Sequence, residues 1–129
     1  MRLLLTSPMG DPLDTRTWSS APSNVARALT AKGVDIVPFD SRIVGKAGKA
    51  LAAAWNVARG LPVRDISRFD TIRALRGRAV AAAAEQAGVD HILCTSSNDA
   101  PAPTAIPYSI WIDDTVHLLQ QTPMSPGFT

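Results

Sequence analysis

The chain holds a single cysteine, Cys94, in 129 residues. An internal disulfide is excluded, and a reducing compartment fits. Histidine is nearly absent as well. His91 and His117 stand at no metal-ligand spacing from each other or from Cys94, so no metal is expected. No run approaches the roughly 20 apolar residues that a membrane helix needs. The opening run Leu3-Leu4-Leu5 is broken by Thr6-Ser7-Pro8 and is too short for a signal-peptide core. A cytoplasmic location is the default expectation, with peripheral membrane association left open. Charge excess is also lacking: the formal net charge is +2, with no basic stripe carrying aromatic partners, so nucleic acid is not an expected partner. The glycine-rich dinucleotide fingerprint is missing, because Met9-Gly10-Asp11 opens a long loop instead of a tight turn. No Walker loop, nucleophile elbow or kinase signature occurs. No cofactor is expected.

What remains is a globular composition, 46% hydrophobic and 19% charged, of a length that fits one core. The run Arg2 to Ser7 reads as a central parallel strand buried on both faces. A polar, turn-rich loop follows from Pro8 to Pro22. A helix is predicted from Ser23 to Lys32, with Gly33 as its stop. Ser20 or Ser23 is expected to accept from the free amides of its first turn. Val34 to Phe39 reads as the second strand, with Pro38 marking its end. Strand, helix, strand is the right-handed crossover unit.

The middle is predicted helical. Val44, Ala47, Leu51, Ala54, Trp55 and Ala58 recur as one apolar stripe, which Gly60-Leu61-Pro62 breaks. A second helix is predicted from Ser67, as N-cap, to Ala87, with Gly88 as stop. Its buried side is expected to be Phe69, Ile72, Leu75, Ala79, Ala82 and Ala83. Its solvated side is expected to carry Arg68, Arg73, Arg76 and Arg78. Val89 to Thr95 and Ile106 to Ile112 read as further strands, and Val116 to Gln121 as a short helical segment. The pattern predicts an α/β fold, a three-layer αβα sandwich with a mainly parallel sheet of about four or five strands. The domain is expected to span residues 1–121, with residues 122–129 as an extended tail.

Three polar clusters follow the apolar strands: the loop after Ser7, Thr95 to Asp99, and Asp113-Asp114. Parallel neighbouring strands would bring all three to one edge of the sheet, where such folds bind ligands. Each has a plainer alternative. Ser19, Ser20 and Ser23 can be caps, and Ser96, Ser97 and Asn98 can be turn residues. Asp113 and Asp114 can complement a helix dipole. His117 lies four residues beyond Asp113, so the two could pair as a general base, or His117 could be a surface residue. Trp18 could dock a ligand or act as a lid on the sheet edge. His91 opens a strand and reads as structural.

The stretch Asp14-Thr15-Arg16-Thr17-Trp18-Ser19-Ser20-Ala21-Pro22 resembles the start of the group 1 glycosyltransferases of the GT-B fold. There the first strand leads into a loop of the type tWSGtP and a helix ending in aL...G, here Ala28-Leu29-Thr30-Ala31-Lys32-Gly33. Asp90-His91-Ile92-Leu93-Cys94-Thr95-Ser96-Ser97 is similar to that family's segment D-hydrophobic-S-x-S. Ile110-Trp111-Ile112-Asp113-Asp114-Thr115 is similar to its v-f-w-t-D-a-t segment. The resemblance implies a Rossmann-like, acceptor-side N-terminal domain. It faces a second domain that binds a nucleotide-sugar donor.

By that resemblance Trp18, Ser19 and Ser20 border the interdomain cleft, together with Ser96, Ser97, Asp114 and His117. Asp113 takes a catalytic or acceptor-contacting place. Ser20 stands where the family has glycine, so a side chain fills space near a phosphate. The missing C-terminal domain is then an implied partner, and the chain alone is expected to be inactive. An exposed sheet edge would favour a homo-oligomer. The alternative reading is a stand-alone α/β binding or interaction module for a small anion or a protein.

Overall fold

The computed structural model describes residues 1–42, 50, 53–55, 57–60 and 70–111. Four strands form one sheet: β1 (Arg2–Ser7), β2 (Asp35–Asp40), β3 (His91–Cys94) and β4 (Tyr108–Ile110). Their order is β2-β1-β3-β4, and every pairing is parallel. Helix α1 (Ala21–Ala31) links β1 to β2, and helix α2 (Asp70–Ala87) precedes β3. The fold is a Rossmann-like α/β fold.

The continuous apolar run of β1 has a direct structural reason. Successive side chains alternate between faces, and both faces are covered. Leu3 and Leu5 pack with Ala26 of α1, while Leu4 packs with Val80 and Ala84 of α2. Each fully buried leucine contributes about 1.5–3 kcal/mol. These two clusters form the outer interfaces of an αβα sandwich. Among the described residues, no helix is long and apolar enough to cross a membrane.

Both helices end as the glycines predict. At Gly33 (φ +82°) the Gly33 and Val34 amides donate to the carbonyls of Thr30 and Leu29, a Schellman closure. Gly88 and Val89 repeat it on the carbonyls of Glu85 and Ala84.

Pro38 does not end β2, which continues to Asp40. The Asp35 and Ser41 amides donate to the carbonyls of Met1, just before β1, and Ser7, at its end, so odd-numbered residues bond inward. Pro38 therefore faces outward on an edge strand, where its missing N–H breaks no ladder bond and blunts the edge.

The buried face of α2 differs from the predicted one. Ile72, Arg76, Gly77, Val80, Ala81 and Ala84 are buried, whereas Leu75 and Ala82 are exposed and Ala79 and Ala83 are half-buried. The face is rotated because Arg76 and Gly77 belong to it. Arg76 is thus not solvated, although Arg73 and Arg78 are exposed. Ser67, Arg68 and Phe69 lie outside the described residues. So do Val44, Ala47 and Leu51 of the mid-chain stripe. Its described members Ala54, Trp55 and Ala58 are exposed rather than buried.

Gly77 faces a close backbone crossing. A Cβ there would sit 2.8 Å from the Ala100 carbonyl oxygen and 3.1 Å from the Ala102 nitrogen. The Ala102 amide also donates to the Gly77 carbonyl at 2.9 Å. Alanine would gain about 1 kcal/mol of helix propensity. The overpacking against backbone outweighs it, at about 1–3 kcal/mol. Gly77→Ala is therefore expected to lower stability in urea denaturation, and a stabilised variant would rule out this crossing.

Candidate functional site

The strand order reverses between β1 and β3, and α1 and α2 lie on opposite faces of the sheet. The carboxyl ends of two such strands are the position where open α/β sheets take ligands. The loop after β1 and the loop after β3 both leave from it.

The first loop is ordered by its own side chains. The Met9 amide donates to Ser7 Oγ at 3.2 Å, and the Leu13 amide to Asp11 Oδ1 at 2.8 Å. Asp14 accepts from the Arg16 side chain and from its amide. These bonds hold the Asp14 carboxyl down to about 2. Thr17 is then buried, and the backbone turns left-handed for three consecutive non-glycine residues: Trp18 (φ 43°), Ser19 (φ 54°) and Ser20 (φ 66°). Such backbone is disfavoured by about 1–2 kcal/mol per residue. Trp18 remains 39% exposed and Ser19 is exposed.

Neither serine caps α1 as expected. Ser20 Oγ donates to the Thr15 carbonyl, and Ser23 Oγ donates to the Ser20 carbonyl at 2.9 Å. No side chain accepts from the first-turn amides, because the left-handed backbone at Ser20 turns its hydroxyl back toward the loop. The first turn instead contains a proline, Pro22, which has no amide to satisfy.

After β3, Ser96 Oγ accepts from the Asn98 amide at 3.1 Å, and a turn of 3-10 helix follows over Ser97–Asp99. Ser96 is half-buried and holds this turn; Ser97 is exposed. Asp113, Asp114 and His117 lie outside the described residues. His91 is half-buried, and its Nε2 is 3.0 Å from Ser109 Oγ on the neighbouring strand.

Below the two loops lies a buried polar cluster that sequence reasoning missed. Asp99 is fully buried. Thr6 Oγ1 donates to its Oδ2 at 3.1 Å, and Ser41 Oγ donates to its Oδ1 at 2.7 Å. Arg76 Nε lies 3.7 Å from Oδ1 and donates to the Ser41 carbonyl at 3.1 Å. Thr95 Oγ1 donates to the Thr6 carbonyl at 2.9 Å. Arg76 Nη1 is buried with no hydrogen-bond partner among the described residues. The cluster joins β1, the end of β2, α2 and the loop after β3. Burial raises the Asp99 pKa, against the lowering effects of Ser41, Arg76 and Thr6. One signal was available: an arginine placed four residues from both Ile72 and Val80 sits in their helical row.

Cys94 is buried beside this cluster, and its thiol donates to the Asp99 carbonyl oxygen at 3.4 Å. Burial pushes the thiol up to about 11, so it is protonated at neutral pH and a poor nucleophile. Iodoacetamide at pH 8 is expected to leave native Cys94 unmodified and to alkylate it in urea, as read by mass spectrometry. Fast labelling of the native chain would contradict this burial.

Among the described residues, no group of three or more His, Cys, Asp or Glu side chains could hold a metal ion. A shallow groove lined by Leu13, Thr30, Gly33, Val34, Asp35 and Ile36 lies at the start of β2, away from the cluster. Comparison of the chain with protein-family models, curated proteins and solved structures returned no match in any of the three.

Proposed function

We propose that this chain is the acceptor-side, N-terminal portion of a glycosyltransferase that moves a sugar from a nucleotide-sugar donor to an acceptor. It would need a second, donor-binding domain for turnover. The observation that carries this reading is the left-handed turn Trp18-Ser19-Ser20, in the loop that follows β1. Non-glycine residues held in this region cluster at functional sites. The turn leaves the Trp18 indole and Ser19 accessible to solvent. An aromatic face packs on the C–H face of a sugar ring, and hydroxyls bond to its edge. The motif resemblance supplies the remaining roles. Asp113 would act as a base or bind an acceptor hydroxyl, and Ser96, Ser97, Asp114 and His117 would border the same cleft.

The longest reading frame that contains this chain should be titrated with uridine, guanosine and adenosine diphosphate sugars by calorimetry. Binding of one of them is expected. No binding of any nucleoside diphosphate sugar would sink the reading.

One observation favours the alternative, a small-anion module. The amides at the start of α1 lack a side-chain cap, and such amides attract anions. Inorganic phosphate binding to the 129-residue chain, with no nucleotide sugar bound by the longer protein, would favour it. A homo-oligomer built through the sheet edge would use β4, since Pro38 blunts β2.

A further inference from the structure

We infer that Asp99 is a proton-linked latch, which holds the loop after β3 against the ends of β1 and β2 and loosens as its carboxyl ionises. The inference is independent of the glycosyltransferase reading. It rests first on connectivity. One fully buried carboxyl joins three separate chain segments, through Thr6 on β1, Ser41 just after β2, and its own position in the 3-10 turn. Releasing that side chain breaks the loop's bonds to Thr6 and Ser41 at once.

It rests next on the chemistry of the partners. Both hydrogen-bond partners of the carboxyl are hydroxyls, and a hydroxyl can donate or accept by rotating. Thr6 and Ser41 can therefore serve Asp99 in either protonation state. The charged form also gains from the attraction of Arg76, but burial outweighs that gain. Arg76, the basic group facing Asp99, stands 3.7 Å away, outside hydrogen-bonding distance, and spends its Nε on the Ser41 carbonyl. Asp40, on β2, adds a repulsive negative charge. Cys94, on β3, donates to the Asp99 backbone oxygen, also meets the Thr6 side chain, and stays protonated at neutral pH.

The sign follows from burial. The Asp99 carboxyl is raised above its ordinary value of 3.8, chiefly by desolvation. The closed loop thus prefers the neutral acid, and the opened loop, with Asp99 in water, ionises first. The latch is fully set below the ordinary carboxylate pKa. It weakens as pH rises from there through the raised value. The opening constant should grow by up to ~10-fold per pH unit across that window, the slope of one linked proton.

Amide hydrogen exchange on the 129-residue chain tests this, with rates corrected for the intrinsic pH dependence. The informative amides are those of Ser41, Asp99 and Ala102, which donate to Ser7, Ser96 and Gly77. The Gly33 and Val34 amides, at the far end of α1, serve as the reference. Protection of the first set is expected to fall with rising pH relative to the reference. Asp99→Asn, which keeps the shape without the titration, is expected to abolish that slope. Ser41→Ala removes a donor that favours the ionised form, and should extend the window to higher pH. Flat relative protection in the wild-type chain, or protection that rises with pH, overturns the latch whether or not either variant folds. A slope that persists in Asp99→Asn overturns it as well.

Discussion

Arg76→Met is expected to destabilise the fold by about 3–5 kcal/mol at neutral pH, which is the usual penalty for removing one partner of a buried ion pair. Methionine fills a similar volume, so the loss is electrostatic rather than a cavity. Without the guanidinium, the Asp99 carboxyl keeps two hydroxyl donors but loses the positive charge that faces it. The Ser41 carbonyl also loses the Nε donor. A loss of this size is a large fraction of the 5–15 kcal/mol that holds a typical domain together.

The penalty should depend on pH. Asp99 is already raised by burial, and losing Arg76 raises it further. Below the ordinary carboxylate value of 3.8 the acid is neutral in both folded and unfolded chains, and the charge penalty disappears. It grows as pH rises toward the folded-state value. Urea denaturation at pH 4 and pH 7 measures both figures. The double variant Arg76→Met with Asp99→Asn should recover most of the neutral-pH loss, because no charge is left buried. A single variant as stable as the wild type at pH 7 would show that the pair is not buried together.

The second large effect concerns the register of α2. Val80→Asp is expected to unfold the chain, while Leu75→Asp is expected to change stability by less than about 1 kcal/mol. Val80 is fully buried between Leu4, Ile92 and Ala84, whereas Leu75 is 48% exposed. At Val80 the substitution removes about 1.5–3 kcal/mol of burial. It also places a carboxylate in an apolar cluster, at several kcal/mol more, which Arg76 one turn away offsets only in part. At Leu75 the new carboxylate reaches water. Circular dichroism melts of the two variants separate the structural register from the predicted one. Equal losses would place both residues in the core.

The two variants also mark where sequence periodicity was sufficient and where it was not. The apolar residues of α2 fit more than one face, because alanines run from Ala81 to Ala84 and supply weak contrast. A pattern that treats arginine as solvated discards the true face, which runs Ile72, Arg76, Val80, Ala84. Arginine can take that place only because Asp99 arrives from a different loop. No local spacing connects residues 23 positions apart. The cap at α1 misled for a related reason. Serine before a helix predicts a cap, but the left-handed backbone at Ser20 aims its hydroxyl at Thr15.

Sequence alone determined the elements whose signals are local. Leu3-Leu4-Leu5 specifies a strand buried on both faces, because no alternating polar residue offers a face to water. Gly33 and Gly88 specify the helix ends, because the left-handed closing residue excludes a Cβ at little expense only in glycine. The parallel α/β class followed from those elements and the crossover rule. Tertiary structure decided the rest: which face of α2 is buried, why Gly77 is needed under residues 100–102, and that Asp99, Thr6, Ser41 and Arg76 meet. Those facts depend on strand order. The switch between β1 and β3 brings distant loops to one edge, and buried polar groups are stable only where such distant partners satisfy them.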